Sequence, residues 1–318
     1  MRIINRSHRC QRRCRGACAV TAVAVLDLLA SSGCARVRST QAHVTTDLRS
    51  AVCQRVHRNF AKAVFLKPSE SQQIDWHAMS FGPLAGIEPS YLAPLFVLEL
   101  GGGAQSQPRS AKPGQLVATV DGGFLVETDR PTVYFDSTTV RLKDHAFDQI
   151  RFLWFHESRD EAARAEPLWR LVRMTCDGQG NPLIFEVCSS DEPLTIVYVS
   201  RSLEARAASR FGPPLEGRRF SIESDISRHP EVVVARVLDD APEPMGPIVY
   251  LDAQRQQVST LICRCMPAQV NEFVETAYYE AMPVDSLPDA VISRVTGERG
   301  TAAALNEILR LPDLVNED

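Results

Sequence analysis

Past residue 34 the chain has no uninterrupted apolar run of 18 residues, so no helix long enough to cross a bilayer is expected there. Clustered Lys and Arg are missing outside the leader. The first 33 residues hold six Arg and one Asp, so the whole-chain charge of −4 leaves residues 34–318 at about −9. An acidic body without a basic patch argues against nucleic-acid binding, because neutralising phosphates takes grouped cations. Nucleophile and zinc-protease signatures (G-x-S-x-G, Ser-x-x-Lys, H-E-x-x-H) do not occur. Cysteine is sparse after Cys34. Cys53, Cys176, Cys188, Cys263 and Cys265 are odd in number and too few for a disulfide-stapled scaffold. No internal repeat of fixed period is present.

What the chain does have is concentrated at its start. Arg2, Arg6, Arg9, Arg12, Arg13 and Arg15 make a cationic segment, and Ala17 to Leu29 follow as an apolar run with one charge, Asp27. The run has the length of a secretory hydrophobic segment and is too short to span a bilayer. Ala30-Ser31-Ser32-Gly33-Cys34 then supplies small residues and a cysteine. This layout resembles a bacterial lipoprotein signal. Ser31 departs from it where the family pattern prefers Leu. The resemblance covers the leader only and implies cleavage before Cys34, lipid on its thiol and a membrane-anchored product. A plain signal peptide cut near Ala35 is an alternative, as is a cytosolic protein with a basic leader. Cys10, Cys14 and Cys18 recur every four residues but match no zinc or iron–sulfur spacing, so no metal site or cofactor is assigned.

The body divides by composition into residues 34–100, a Gly/Ser/Gln/Pro-rich loop or linker at 101–114, a β-rich core at 115–285 and a helical tail at 286–318. Leu48, Val52, Val56 and Phe60 recur at a spacing of four, which predicts a helix over 47–60. Residues 76–94 read as Pro-rich loop, ending in a strand at Leu95–Leu98. From Gln115 onward ten short strands are predicted: 116–120, 123–127, 132–135, 149–155, 169–176, 183–188, 195–199, 232–238, 248–251 and 258–265. Hairpin turns are expected at Asp121-Gly122 and Asp177–Asn181. Helices are predicted over 157–166, 202–211 and 302–311. The fold class expected is α+β, with a predominantly antiparallel sheet built from sequential hairpins and a few short helices.

Candidate chemistry is thin. His145 and His156 each adjoin a carboxylate at the ends of the predicted strand 149–155, but an odd separation puts them on opposite faces. His77 sits among aromatics and prolines in the predicted loop. Cys263 and Cys265 flank Arg264 and would share one strand face, as packing residues or as a reactive pair. Cys176 and Cys188 flank the turn at 177–181. With Cys176 opposite Pro182, an unbroken ladder puts Cys188 opposite Arg170, on the same face but too far along the strands for a disulfide. Gly101-Gly102-Gly103 lacks the Lys-Ser/Thr of a phosphate loop.

These observations predict a bacterial cell-envelope protein, lipid-anchored through Cys34 or periplasmic or secreted, with a binding or structural role. Its partners would be the membrane, through the N-terminal lipid, and a small-molecule or protein ligand, not nucleic acid. The alternative is a periplasmic or secreted hydrolase using His77 or the His145/His156 region. A binder should show an apolar groove. An enzyme should show a pocket in which at least two titratable groups converge.

Overall fold

Long apolar runs between residues 132 and 200 build a continuous set of antiparallel strands, each turning back on its predecessor. The structure is a computed structural model that describes residues 48–60, 74–81, 90–101, 112–142, 145–158, 167–224, 231–262, 275–296 and 309–314. Residues 45–318 form one unit, to which all of these belong. The leader, Cys34, Cys263, Cys265 and most of the 101–114 loop lie outside the described residues, as do 159–166 and 302–308 of two predicted helices. The described residues 157–158 and 309–310 of those segments are not helical, Leu309 bridging to Glu223 instead.

Helix α1 covers residues 48–60. The strands are β1 Ile74–Phe81, β2 Leu95–Gly101, β3 Gln115–Ala118, β4 Phe124–Glu127, β5 Thr132–Leu142, β6 His145–His156, β7 Leu168–Cys176, β8 Pro182–Ser189, β9 Thr195–Ser200, β10 Val232–Leu238, β11 Ile248–Asp252, β12 Gln257–Ile262 and β13 Glu275–Pro283. Helices α2 (Arg201–Phe211) and α3 (Asp289–Thr296) and a single turn α4 (Leu311–Leu314) complete the set.

Eleven strands form one sheet in the order β10-β9-β8-β7-β6-β5-β13-β1-β2-β11-β12, with β3-β4 as a separate hairpin. The α+β character stands, but the sheet is mixed. Strands β5 to β9 and the pairs β1-β2 and β11-β12 are antiparallel. The junctions β10-β9, β5-β13, β13-β1 and β2-β11 are parallel. Sequential hairpins therefore account for only part of the sheet. The expectation failed at β1 and β13. Asp75, His77 and Ser80 break the apolar run of β1, and its pairing on both edges, to β2 and β13, holds it extended. The strands β1 and β2 thus join the same sheet as the strands that follow the 101–114 loop.

The sheet curls until one face of its strands encloses a single core. Phe96 on β2 meets Trp154 on β6 edge-to-face at 4.9 Å, and Phe96 meets Tyr279 on β13 at 5.4 Å. Val172, Met174, Val187, Ile196, Val233, Val249 and Leu261 join the same cluster. Helix α1 spans the gap between the two edge strands. Its Val52 and Val56 enter the core. Asn59 donates to the Ser259 carbonyl of β12 at 3.4 Å. Arg55 donates to Gln257 at 3.1 Å and to Glu192 at 2.9 Å. Arg236 of β10 stacks over Phe60. An edge strand left bare invites pairing with another chain, and α1 covers this one.

The outer face is covered in patches. Helix α2, with Leu309, Leu311 and Leu314, packs on Val197, Val199, Val232 and Val234. The β3-β4 hairpin and α3 pack on Tyr134, Leu153, Phe155 and Leu171. Burial on both faces explains why Phe152–Phe155 of β6 and Ile196–Val199 of β9 read as unbroken apolar runs instead of alternating. Ser200 caps α2 by accepting from Leu203 N–H at 3.3 Å, and Gly212 (φ 79) ends it. Both predicted turns form. In the second, Asp177 Oδ1 accepts from Gln179 and Asn181 N–H, each at 2.9 Å.

Candidate functional site

A cleft of about 430 Å³ opens between α1, strand β10 and the loop that follows α2. Its wall on α1 is a stripe at a spacing of four, Arg49, Cys53 and His57, lying beside the buried stripe of Val52 and Val56. The opposite wall is Arg219, Glu223 and Gly217 from the loop, and β10 supplies Val233 and Val234 as the floor.

Two carboxylates hold the loop in shape. Glu204, in the first turn of α2, accepts from Ser221 N–H at 2.7 Å and Ile222 N–H at 3.2 Å. Glu223 Oε2 accepts from Arg219 and Phe220 N–H, both at 2.9 Å. Four consecutive backbone donors, 219 to 222, are satisfied in this way, which the loop needs because Ser221, Ile222 and Glu223 are buried. Burial pushes the Glu223 carboxyl above its ordinary range, against the opposing pull of the two N–H donors, Arg218 and Arg49. Burial, followed by repulsion from Arg218, holds the Arg49 guanidinium below its ordinary value, with Glu223 partly offsetting. Arg219 Nη1 reaches the Ala235 carbonyl at 3.4 Å while its residue remains exposed.

The cleft is of mixed character, an apolar floor with polar side chains on its walls, and it holds no pair of acid and base within hydrogen-bond reach of each other among the contacts described. Its lining exposes more apolar than polar surface, with two arginines, Arg49 and Arg219, beside one carboxylate, Glu223, whose Oε2 accepts from backbone donors. Cationic and acidic side chains are interleaved here, with Arg49 repelled by Arg218 and drawn to Glu223 and Glu231. Arg49 lies some 170 positions before Arg218 and Arg219, which is why charge patterning along the chain did not bring them together.

A second polar constellation crosses the outer face of the sheet. Asp136, Arg151, Arg173 and Glu186 are successive cross-strand partners on β5, β6, β7 and β8. Arg151 pairs with Asp136 through Nε at 2.6 Å and through Nη2, and Arg173 pairs with Glu186 likewise. Arg173 is 2% exposed and Glu186 0%. The row carries two positive and two negative side chains, and none of the four lines the cleft.

The predicted site residues do not come together. His145 and His156 occupy the two ends of β6 on opposite faces, as the spacing implied. His156 is completely buried, and its Nε2 accepts from Trp154 Nε1–H at 3.0 Å. The backbone of His77 lies in β1, paired with Leu98 and Glu275. A register shift between Thr175 and Cys176 overturns the single-face reading of Cys176 and Cys188. Cys188 pairs with Leu171, not Arg170, and packs with that outward residue, whereas Cys176 packs inward beside Met174. Burial pushes the Cys176 thiol up to about 12. Among the described residues no group of three or more His, Cys, Asp or Glu is arranged to hold a metal.

Comparison of the chain with protein-family models, with curated proteins and with solved structures finds no match.

Proposed function

We propose that this chain is a bacterial cell-envelope protein, tethered through lipid on Cys34 or released after signal cleavage, that binds a ligand in the α1–β10 cleft. The observation carrying the binding role is the cleft itself. It is concave and of small-molecule size, and it is lined by hydrogen-bond donors held on well-packed elements. The support for the envelope is the leader, with its cationic segment, short apolar run and Gly33-Cys34. Helix α1 is described from residue 48, so a lipid on Cys34 would hold that end of the cleft within roughly 50 Å of the bilayer even were the intervening chain fully extended.

The test is the intact mass and mature N-terminus of the protein isolated from the membrane fraction of its native host. An acylated N-terminal Cys34 is expected, and Cys34→Ala should move the protein out of that fraction. A chain that starts at Met1 and partitions with the cytosol would sink the envelope reading.

A further inference from the structure

We propose that the cleft takes an extended peptide segment of a partner protein, which adds to the free edge of strand β10 at Val232 and Val234. This inference rests on the binding role proposed above and names its ligand class. Strand β10 ends the eleven-stranded sheet, with β9 as its hydrogen-bonded neighbour. Thr195 N–H of β9 donates to the Glu231 carbonyl at 2.9 Å, and the register then pairs Val232 with Thr195, Val233 with Ile196 and Val234 with Val197. Alternate residues of a parallel pair turn their backbone groups toward the neighbouring strand. Glu231 and Val233 therefore face β9, whereas the N–H and C=O of Val232 and the N–H of Val234 point away from it. None of these three groups has a partner among the described residues. Both valines are 2% exposed, so the open groups sit in a sheltered place where an unmade hydrogen bond is costly.

Helix α1 leaves this stretch of edge open. It meets β10 further along, where Arg236 stacks over Phe60, and it meets the other edge strand where Asn59 donates to the Ser259 carbonyl. Beside Val233 and Val234 it stands off, and the gap is the cleft. Arg219 Nη1 takes the next edge carbonyl, that of Ala235, so the open edge runs from Val232 to Val234, roughly 7 Å of strand. The lining charges are already answered. Arg49 is drawn to Glu223 and Glu231, Arg219 also lies over the Phe220 ring, and Glu223 Oε2 accepts from two backbone N–H groups. What the cleft offers a newcomer is a mainly apolar concavity with an unpaired strand edge at its floor. An extended chain matches that edge, because its own N–H and C=O groups recur on one side every second residue. The segment would pair over about three residues and would lack proline at the pairing positions.

The experiment selects binders of the purified mature protein from a library of blocked pentapeptides randomised at every position, with N-acetylglucosamine and citrate as non-peptide probes. Fluorescence anisotropy reads binding of the selected peptide, and NMR reads amide exchange at Val232 and Val234. The alkylation rate of Cys53, which borders the cleft, reads occupancy. We expect a selected peptide to bind, to slow exchange at both amides and to slow Cys53 alkylation. N-methylation of one pairing amide of the peptide should weaken binding about tenfold or more. Moving the methyl to the next residue should restore it, since neighbouring amides of a strand point opposite ways. Val234→Pro removes an outward N–H from an edge strand while sparing the bonds to β9, and should weaken binding as much. Circular dichroism of the variant separates lost binding from lost folding, and the methylated peptides test the same bond on the unaltered protein.

Peptide binding that neither N-methylation nor Val234→Pro weakens would overturn the edge pairing and keep the cleft as a binding site. So would slowed Cys53 alkylation by N-acetylglucosamine or citrate with no peptide selected. Self-association that is lost in Val234→Pro, in place of peptide binding, would overturn the partner and make the occupant a second copy of this chain. Failure of every probe to slow Cys53 alkylation would remove both the peptide and the binding role.

Discussion

The buried row on the outer face gives the sharpest quantitative test of the fold. Glu186→Gln removes one charge from the Arg173–Glu186 pair, where both side chains are almost fully enclosed, at 3% and 0% exposure. Arg173 would keep its charge after losing the Glu186 carboxylate, directly opposite the like charge of Arg151 in the ladder. Breaking one side of a buried ion pair costs about 3–5 kcal/mol. At a urea m-value of about 1–3 kcal/mol/M, that moves the denaturation midpoint down by roughly 1 M or more. Replacing both partners, as Arg173→Met with Glu186→Leu, removes the stranded charge and the desolvation cost together. It should bring stability back to near or above that of the parent. The assay is urea denaturation of the parent, both single variants and the double variant, followed by fluorescence and circular dichroism. A Glu186→Gln midpoint within a few tenths molar of the parent would refute the assigned burial. A double variant no more stable than the singles would refute the charge argument.

Three further outcomes follow from the same structure. Under native conditions Cys53 should react with iodoacetamide, whereas Cys176 and Cys188 stay unmodified until the protein is denatured; Cys176 is both buried and pushed up to about 12, and peptide mass spectrometry reads the pattern. Because burial raises the Glu223 carboxyl, the native state binds its proton more tightly than the unfolded state does. Its contribution to stability is therefore largest at pH below the unfolded carboxyl pKa and is lost as pH rises through the higher folded value. Glu223→Gln should flatten that part of the curve in melts between about pH 4 and 7. Gly246→Ala would place a methyl 2.1 Å from the Leu92 carbonyl oxygen and 2.8 Å from that of Ala93, backbone atoms that cannot swing away. It should cost about 1–3 kcal/mol by urea denaturation.

Much of the local structure was legible in the residues. The four-residue spacing of Leu48, Val52, Val56 and Phe60 gave α1, and the Asp-Gly turns at 121–122 and 177–178 gave the β3-β4 and β7-β8 hairpins. These signals are local, because side-chain period and turn chemistry act over a few residues. The odd spacing of His145 and His156 likewise placed them on opposite faces. Strands β1 and β13 were not legible, since their extended backbone comes from partners up to 200 residues away. The inward turn of Cys176 relative to Cys188 depends on a one-residue register shift, which composition does not encode.

The leader's address, the acidic body and the alternation of strands and turns belong to the sequence alone, because each is set by residues next to one another in the chain. The cleft belongs to the tertiary structure. Arg49 and Cys53 ride on a helix whose docking place is the seam of a curled sheet, and Arg219 and Glu223 sit on a loop tied down by carboxylates of α2 and of the loop itself. Their convergence comes from parallel pairing of distant strands and from the curl that brings the two sheet edges to opposite sides of one helix. Those long-range contacts depend on how surfaces fit once the elements exist, and they decide where the charges meet.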